Sequence, residues 1–187
     1  MNQADIVTAV KRKYRITGAT LDSDIAEAVV FAVDSLAPYI KRVSVDTSLT
    51  ANRTTESVTV PVAGADVRKI YTKGSSGYWQ QFSDYTKDGD LILFTSWLED
   101  STQIRLHLRT PFTIATIAQI PLSYKQAVIR LACSEFATML AGDKSRYNIY
   151  AQSNGARAVD NMLDLADYYE TKAEKVLLSL GVSEALD

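Results

Sequence analysis

The chain of 187 residues is poor in the side chains that most often carry chemistry or covalent staples, with one Cys, one His, four Pro and eight Gly. A single cysteine makes no intrachain disulfide and no cysteine-based zinc site. No apolar run approaches the roughly 20 residues of a membrane span. Met1 to Arg15 lacks the apolar core and small-residue cleavage site of a signal peptide. A formal net charge of −2 argues against affinity for nucleic acid built on phosphate neutralisation, and with 47% apolar residues it excludes global disorder. No glycine motif of a phosphate loop or a dinucleotide site occurs, since Gly74-Ser75-Ser76-Gly77 has neither spacing. The expectation is a soluble, intracellular, globular chain long enough to bury about 70% of its unfolded surface.

Three sections differ in hydrophobic period. Residues 1–42 read as two helices. Ile6, Val7, Val10 and Tyr14 share one face of the first, whose last turn is crowded by Lys11, Arg12, Lys13 and Arg15, with Gly18 as a stop. The second starts within Thr20 to Asp24, carries the stripe Ile25, Val29, Val33, Leu36 and Ile40, and meets Pro38 near its end. From Val43 to about Ala118 the period is two. Asp88-Gly89 marks a hairpin, and in Gln103 to Arg109 the residues Ile104, Leu106 and Leu108 point one way while Arg105, His107 and Arg109 point the other. From Pro121 the helical period returns. Ser123 to Gln126 fits a capping box, with Leu122 placed for a hydrophobic staple. The stripe then runs to Gly142, residues 143–155 are left without assignment, and a last helix is expected from Arg157 to Leu180, with Gly181 as its cap. Its apolar positions Val159, Met162, Ala166, Tyr169, Ala173, Val176 and Leu180 are spaced like a coiled-coil seam. The fold class expected is α+β: a bundle of about four helices with a long C-terminal one, carrying an inserted antiparallel β meander or sandwich. Its parts would be 1–42, 43–119 and 120–187.

Candidate chemistry is thin. His107 is the one possible imidazole base and lies on the polar side of a strand, where such residues are ordinarily solvated. Cys133 sits mid-helix between Ala132 and Ser134 and reads as a small packed thiol. Asp84, Asp88, Asp90, Glu99 and Asp100 gather near β turns, where turn chemistry explains them better than a glycosidase pair or a calcium loop. Asn52-Arg53-Thr54 is a glycosylation sequon by letters alone. In the last helix Asp160, Asp164, Asp167, Glu170 and Glu174 form an acidic stripe: either a solvated face or a wall that lets a polyanion slide past. No catalytic residue, metal or cofactor is expected.

Ile6-Val7 to Tyr14-Arg15-Ile16-Thr17, then Leu21 to Tyr39-Ile40 with its Asp-Ser-Leu-Ala-Pro, resemble the N-terminal helical pair of tailed-bacteriophage head–tail adaptor (connector, head completion) proteins. Ile120-Pro121-Leu122-Ser123-Tyr124-Lys125-Gln126-Ala127-Val128, leading to a long final helix, resembles them too. The likeness covers about 1–42 and 120–187, while 43–118 departs from the simplest all-helical members. It implies a structural virion protein of the neck, made in the host cytoplasm and not an enzyme. Such a protein forms a homo-oligomeric ring, typically of twelve copies, beneath the portal. The ring extends the DNA channel without sequence-specific binding and receives a tail or stopper protein. On this resemblance Val176, Leu177, Leu180, Val182 and Leu186 are candidates for the assembly and portal interface, and the acidic stripe for the channel wall. A tail from Val182 onward would be ordered by docking. The alternative is a carbohydrate- or ligand-binding β module on a helical scaffold, resting on Tyr71, Tyr78, Trp79, Tyr85 and Trp97.

Overall fold

The computed structural model describes residues 2–182 and is α+β, with helices and antiparallel sheets. The chain divides into two compact units. One takes in the chain up to Ile40 and resumes at Phe112, and the other is Lys41–Pro111.

The helical unit holds α1 (Gln3–Tyr14), α2 (Asp22–Leu36), α3 (Lys125–Gly142), α4 (Lys144–Asn154) and α5 (Met162–Ser179). Helix α1 begins with a reciprocal cap between Asn2 and Asp5. It ends at Arg15, which adopts the left-handed conformation (φ 56°), so the stop falls three residues before Gly18. Ile6, Val10 and Tyr14 turn inward, as do Ile25, Ala28, Val29, Ala32, Val33 and Leu36 of α2. They join Val128, Leu131, Phe136 and Leu140 of α3 and Ala166, Ala173 and Leu177 of α5 in one continuous core. Small residues on α2 and α5 suit the close packing of these helices with α3. The Tyr14 ring meets Phe136 edge-on at 5.0 Å, and its hydroxyl donates to the Cys133 carbonyl at 2.6 Å.

Two local expectations fail at the start of α3. Helical backbone begins one turn early, in a 3-10 turn over Leu122–Tyr124 that follows extended Pro121. Ser123 is therefore already helical and cannot serve as an N-cap, which requires extended backbone. Leu122 is 78% exposed and staples nothing. The strand period also stops short of Ala118. The chain leaves the sheet at Pro111, and Ile114–Gln119 is a 3-10 turn whose Ile117, with Phe112, joins the helical core.

The β unit has strands β1 (Lys41–Ala51), β2 (Ser57–Thr59), β3 (Asp66–Lys73), β4 (Gln80–Phe82), β5 (Tyr85–Asp88), β6 (Leu91–Phe94) and β7 (Thr102–Pro111). They form two antiparallel sheets, ordered β1-β7-β3-β4 and β2-β6-β5. Of the two arrangements expected, this is the two-sheet one, because β7 returns to pair between β1 and β3. The β5–β6 hairpin turns at Gly89 (φ 58°). Ile70, Ile104, Leu106 and Leu108 of one sheet and Ile92 of the other share a second core with Val60 and Leu98.

Candidate assembly surfaces

Helix α5 starts later than the sequence suggests. Asn161 caps it, accepting from the Asp164 amide at 3.2 Å, and a 3-10 turn occupies Gly155–Arg157. Asp160 and Val159 thus lie before the helix, and the seam loses its first position. Val159 is exposed, its carbonyl accepting from the Tyr147 hydroxyl at 3.2 Å. The inward face of α5 is Met162, Ala166, Ala173 and Leu177, with Leu165, Tyr169 and Val176 partly buried against the same core.

The acidic residues do not form a single stripe. At 100° per residue, Leu163, Asp167, Glu170, Glu174 and Leu178 fall within roughly 80° of arc on one flank of α5. Asp164 lies about 60° around the helix from Asp167, opposite the buried face, and Asp160 is off the helix. Among the described residues no ion pair involves Asp167, Glu170 or Glu174. Glu170 instead adds like charge near Glu135 of α3, whose carboxyl is pushed above its ordinary range by burial first and by Glu170 second. Leu163 and Leu178, at the two ends of this flank, are exposed. It is an acidic row with apolar ends.

The C-terminal candidates divide as well. Leu177 is fully buried in the helical core, while Val176 and Val182 are half-buried against it. Gly181 (φ 81°) closes α5: its amide donates to the Leu178 carbonyl at 3.0 Å, and the Val182 amide donates to that of Leu177 at 3.1 Å. These paired hydrogen bonds are those of a glycine-terminated helix, and they fold Val182 back onto the core beside Leu177. Leu180 is half-buried, and Leu186 lies outside the described residues.

In the β unit, the sheet residues opposite the core make a second surface. The register places Val43 across from Arg109 and Val45 across from His107, and on β3 it places Lys69 across from His107 and Tyr71 across from Arg105. Val43 is 72% exposed and Val45 53%. The Arg105 guanidinium lies over the Trp79 ring at 4.0 Å, and its Nε is buried without a hydrogen-bond acceptor. His107 is half-buried and packs on Tyr71 with ring centroids 4.9 Å apart.

The remaining titratable candidates hold loops. Glu99 accepts from the Ser75 amide and hydroxyl, both at 2.8 Å, which draws its carboxyl below the ordinary range. Asp100 accepts from the Arg53 amide at 3.0 Å, and Asn52 accepts from that of Thr54. Cys133 is fully buried, and burial pushes its thiol up to about 12, the reverse of what a nucleophile needs. Of the aromatic candidates for a ligand module, Tyr85 packs against the β core, whereas Tyr78 (77% exposed) and Trp97 (82%) line one shallow depression with Gly74, Ser76 and Glu99.

No protein-family model matches the chain, and no curated protein matches it. A solved chain described as part of the neck of an empty GTA particle, computed with C6 symmetry, is similar over 87% of each chain, at 16% identity and a TM-score of 0.34. The functional reading therefore rests on the residues of this chain.

Sequence reasoning missed the open sheet face. Arg105, His107 and Arg109 were visible as the wet side of one strand, but only the register adds Val43, Val45 and Lys69 to them.

Proposed function

We propose that this chain is a structural neck protein of a tailed-phage-like particle. In this reading it is a head–tail adaptor that assembles as a ring beneath the portal, extends the DNA channel and offers a surface to the next neck or tail component. The observation that carries the proposal is the single core built from α1 and α2 together with α3 and α5, segments separated in sequence by the whole β unit. Those are the segments that resemble the adaptor family. A chain committed to chemistry would be expected to bring titratable groups together. Here the cysteine is sealed in the core and the histidine is packed on a tyrosine ring. Asp160 and Asp164, exposed and outside the acidic row of α5, would keep phosphate from adhering if turned toward a bore.

Portal docking is assigned to the C-terminal end of α5, through Val176, Leu180, Val182 and the residues that follow. Leu177 contributes there only by holding the helix in place. The test is sedimentation of the full chain with and without portal-bearing heads, beside a variant lacking 182–187. Ring-sized particles, and weaker capture of the shortened chain by the portal, are expected. A strict monomer that ignores the portal would reject the proposal.

Tyr78 and Trp97, exposed on one depression, favour a second reading, a carbohydrate-binding β module. Glycan-dependent quenching of tryptophan fluorescence that disappears in Trp97→Ala would select it.

A further inference from the structure

The β unit leaves one face of its larger sheet uncovered. Beta pairing puts Lys41, Lys69, Lys73, Arg105 and Arg109 on that face against a single carboxylate, Asp66. Asp66 is already engaged by Arg68 at 3.1 Å. Beside the cations, on the edge strand β1, stand two exposed valines, Val43 and Val45. Excess positive charge is unusual in a chain whose net charge is −2. A surface meant only for solvent would not need the valines, and a surface meant for a bare polyanion would not expose them. Exposed aliphatic side chains set beside a row of cations suit a protein–protein contact better than a purely solvated face.

The flank of α5 has the converse composition, with Asp167, Glu170 and Glu174 between exposed Leu163 and Leu178. Its carboxylates pair with no cation among the described residues. The two surfaces also agree in size. From Leu163 to Leu178 the helix rises about 22 Å, and a helix is about 10 Å across. Strand β7 runs for about 27 Å from Gln103 to Pro111, and β1, β7 and β3 together are about 10 Å wide.

We infer that the basic outer face of β1, β7 and β3 in one copy docks the acidic flank of α5 in a second copy of this chain. The contact joins unlike surfaces, so it is head-to-tail, the type that makes a ring when the rotation between copies closes. It rests on the adaptor reading and specifies which surfaces hold the ring together. Arg105 is fixed by its stack on Trp79 and loses little freedom when a carboxylate arrives.

The test uses two full-length charge-reversed variants, Asp167→Lys with Glu170→Lys, and Lys69→Glu with Arg109→Glu. All four residues are exposed, and circular dichroism checks that each variant folds. Each variant alone should self-associate at least tenfold more weakly than the natural chain, measured by sedimentation velocity over a concentration series. An equimolar mixture should regain assembly, because each copy then offers the surface its neighbour lacks. Should a variant misfold, the neutral pair Lys69→Gln with Arg109→Gln, against Asp167→Asn with Glu170→Gln, must show the weakening on each side. Reversed variants that assemble as the natural chain does would overturn the interface and leave the adaptor reading standing. A natural chain that stays monomeric even with portal-bearing heads would overturn both. If a 30-base-pair duplex binds through Lys69 and Arg109 while self-association is unaffected by their reversal, the occupant is nucleic acid and the inference is wrong.

Discussion

The helical unit buries the rings of Tyr14, Phe136 and Tyr150, whereas the fully buried core of the β unit is aliphatic and alanine only. Both tryptophans belong to the β unit, one half-buried under a guanidinium and the other almost bare. The helical unit thus closes several rings inside, although Phe31 and Tyr168 stay half exposed. The β unit fills its core with Ile, Leu, Val and Ala, packs Phe82, Tyr85 and Phe94 at its margin, and leaves Tyr78, Trp97, two valines and a row of cations on its surfaces. The difference lies in where the rings go: those of the helical core hold its fold, and those of the β unit lie at the margin of its core or on its surface.

The sharpest way to break this comparison is to remove one core and watch the other. Phe136→Ala empties a fully buried site against Tyr14 and should cost about 3–5 kcal/mol, and Leu177→Ala about 2–5 kcal/mol. Helical ellipticity at 222 nm reports chiefly the helical unit, and tryptophan fluorescence reports the β unit. Urea titrations should show the first transition moving to lower denaturant and the second holding its midpoint. Coincident shifts would mean that the two cores unfold as one.

Alkali should separate the units next. The Cys133 thiol, ordinarily near 9.0, and the Tyr169 phenol, ordinarily near 10.0, are each pushed up to about 12, chiefly by burial, and Tyr14 is raised for the same reason. The folded state holds these groups neutral to higher pH than the unfolded chain does. Their contribution is therefore complete below pH 9 and is lost as pH rises from about 9 toward 12. The ellipticity midpoint should fall across that window, and less steeply in Cys133→Ala and Tyr14→Phe. A flat profile would contradict the assignment.

Caps give smaller effects. Asp143 holds the Ser145 and Arg146 amides at 2.8 and 3.2 Å, so Asp143→Ala should cost about 1 kcal/mol by thermal melting. Smallest are gains of up to about 1 kcal/mol from Arg15→Gly in the helical unit and Ser101→Gly in the β unit, since both residues sit at positive φ (56° and 60°). A loss in either would show that the replaced side chain has a role beyond its backbone.

These contrasts also explain what the sequence made legible. The α+β class and the inward faces of α1, α2 and α3 follow from helical spacing, and β7 from its strict alternation of Ile104, Leu106 and Leu108. Helix α4 escaped because it buries only Tyr150 and has no apolar stripe; its one signal was Asp143 as a cap. Bulges between Asp46 and Leu49 and between Val67 and Lys69 break the period of β1 and β3, hiding which of their residues share a face. The acidic stripe read as one feature because a row of letters does not show that α5 begins only at Met162.

Zero-length carbodiimide cross-linking of an equimolar mixture of natural and nitrogen-15-labelled full-length chain tests the central claim most directly, because Lys41 and Lys69 supply amines and Asp167, Glu170 and Glu174 supply carboxylates. The account predicts cross-linked peptides joining β1 or β3 to α5 that carry one light and one heavy partner, lost in Asp167→Lys with Glu170→Lys. Cross-links between these segments that are always of a single isotope, or none at all from a chain that assembles, would contradict it.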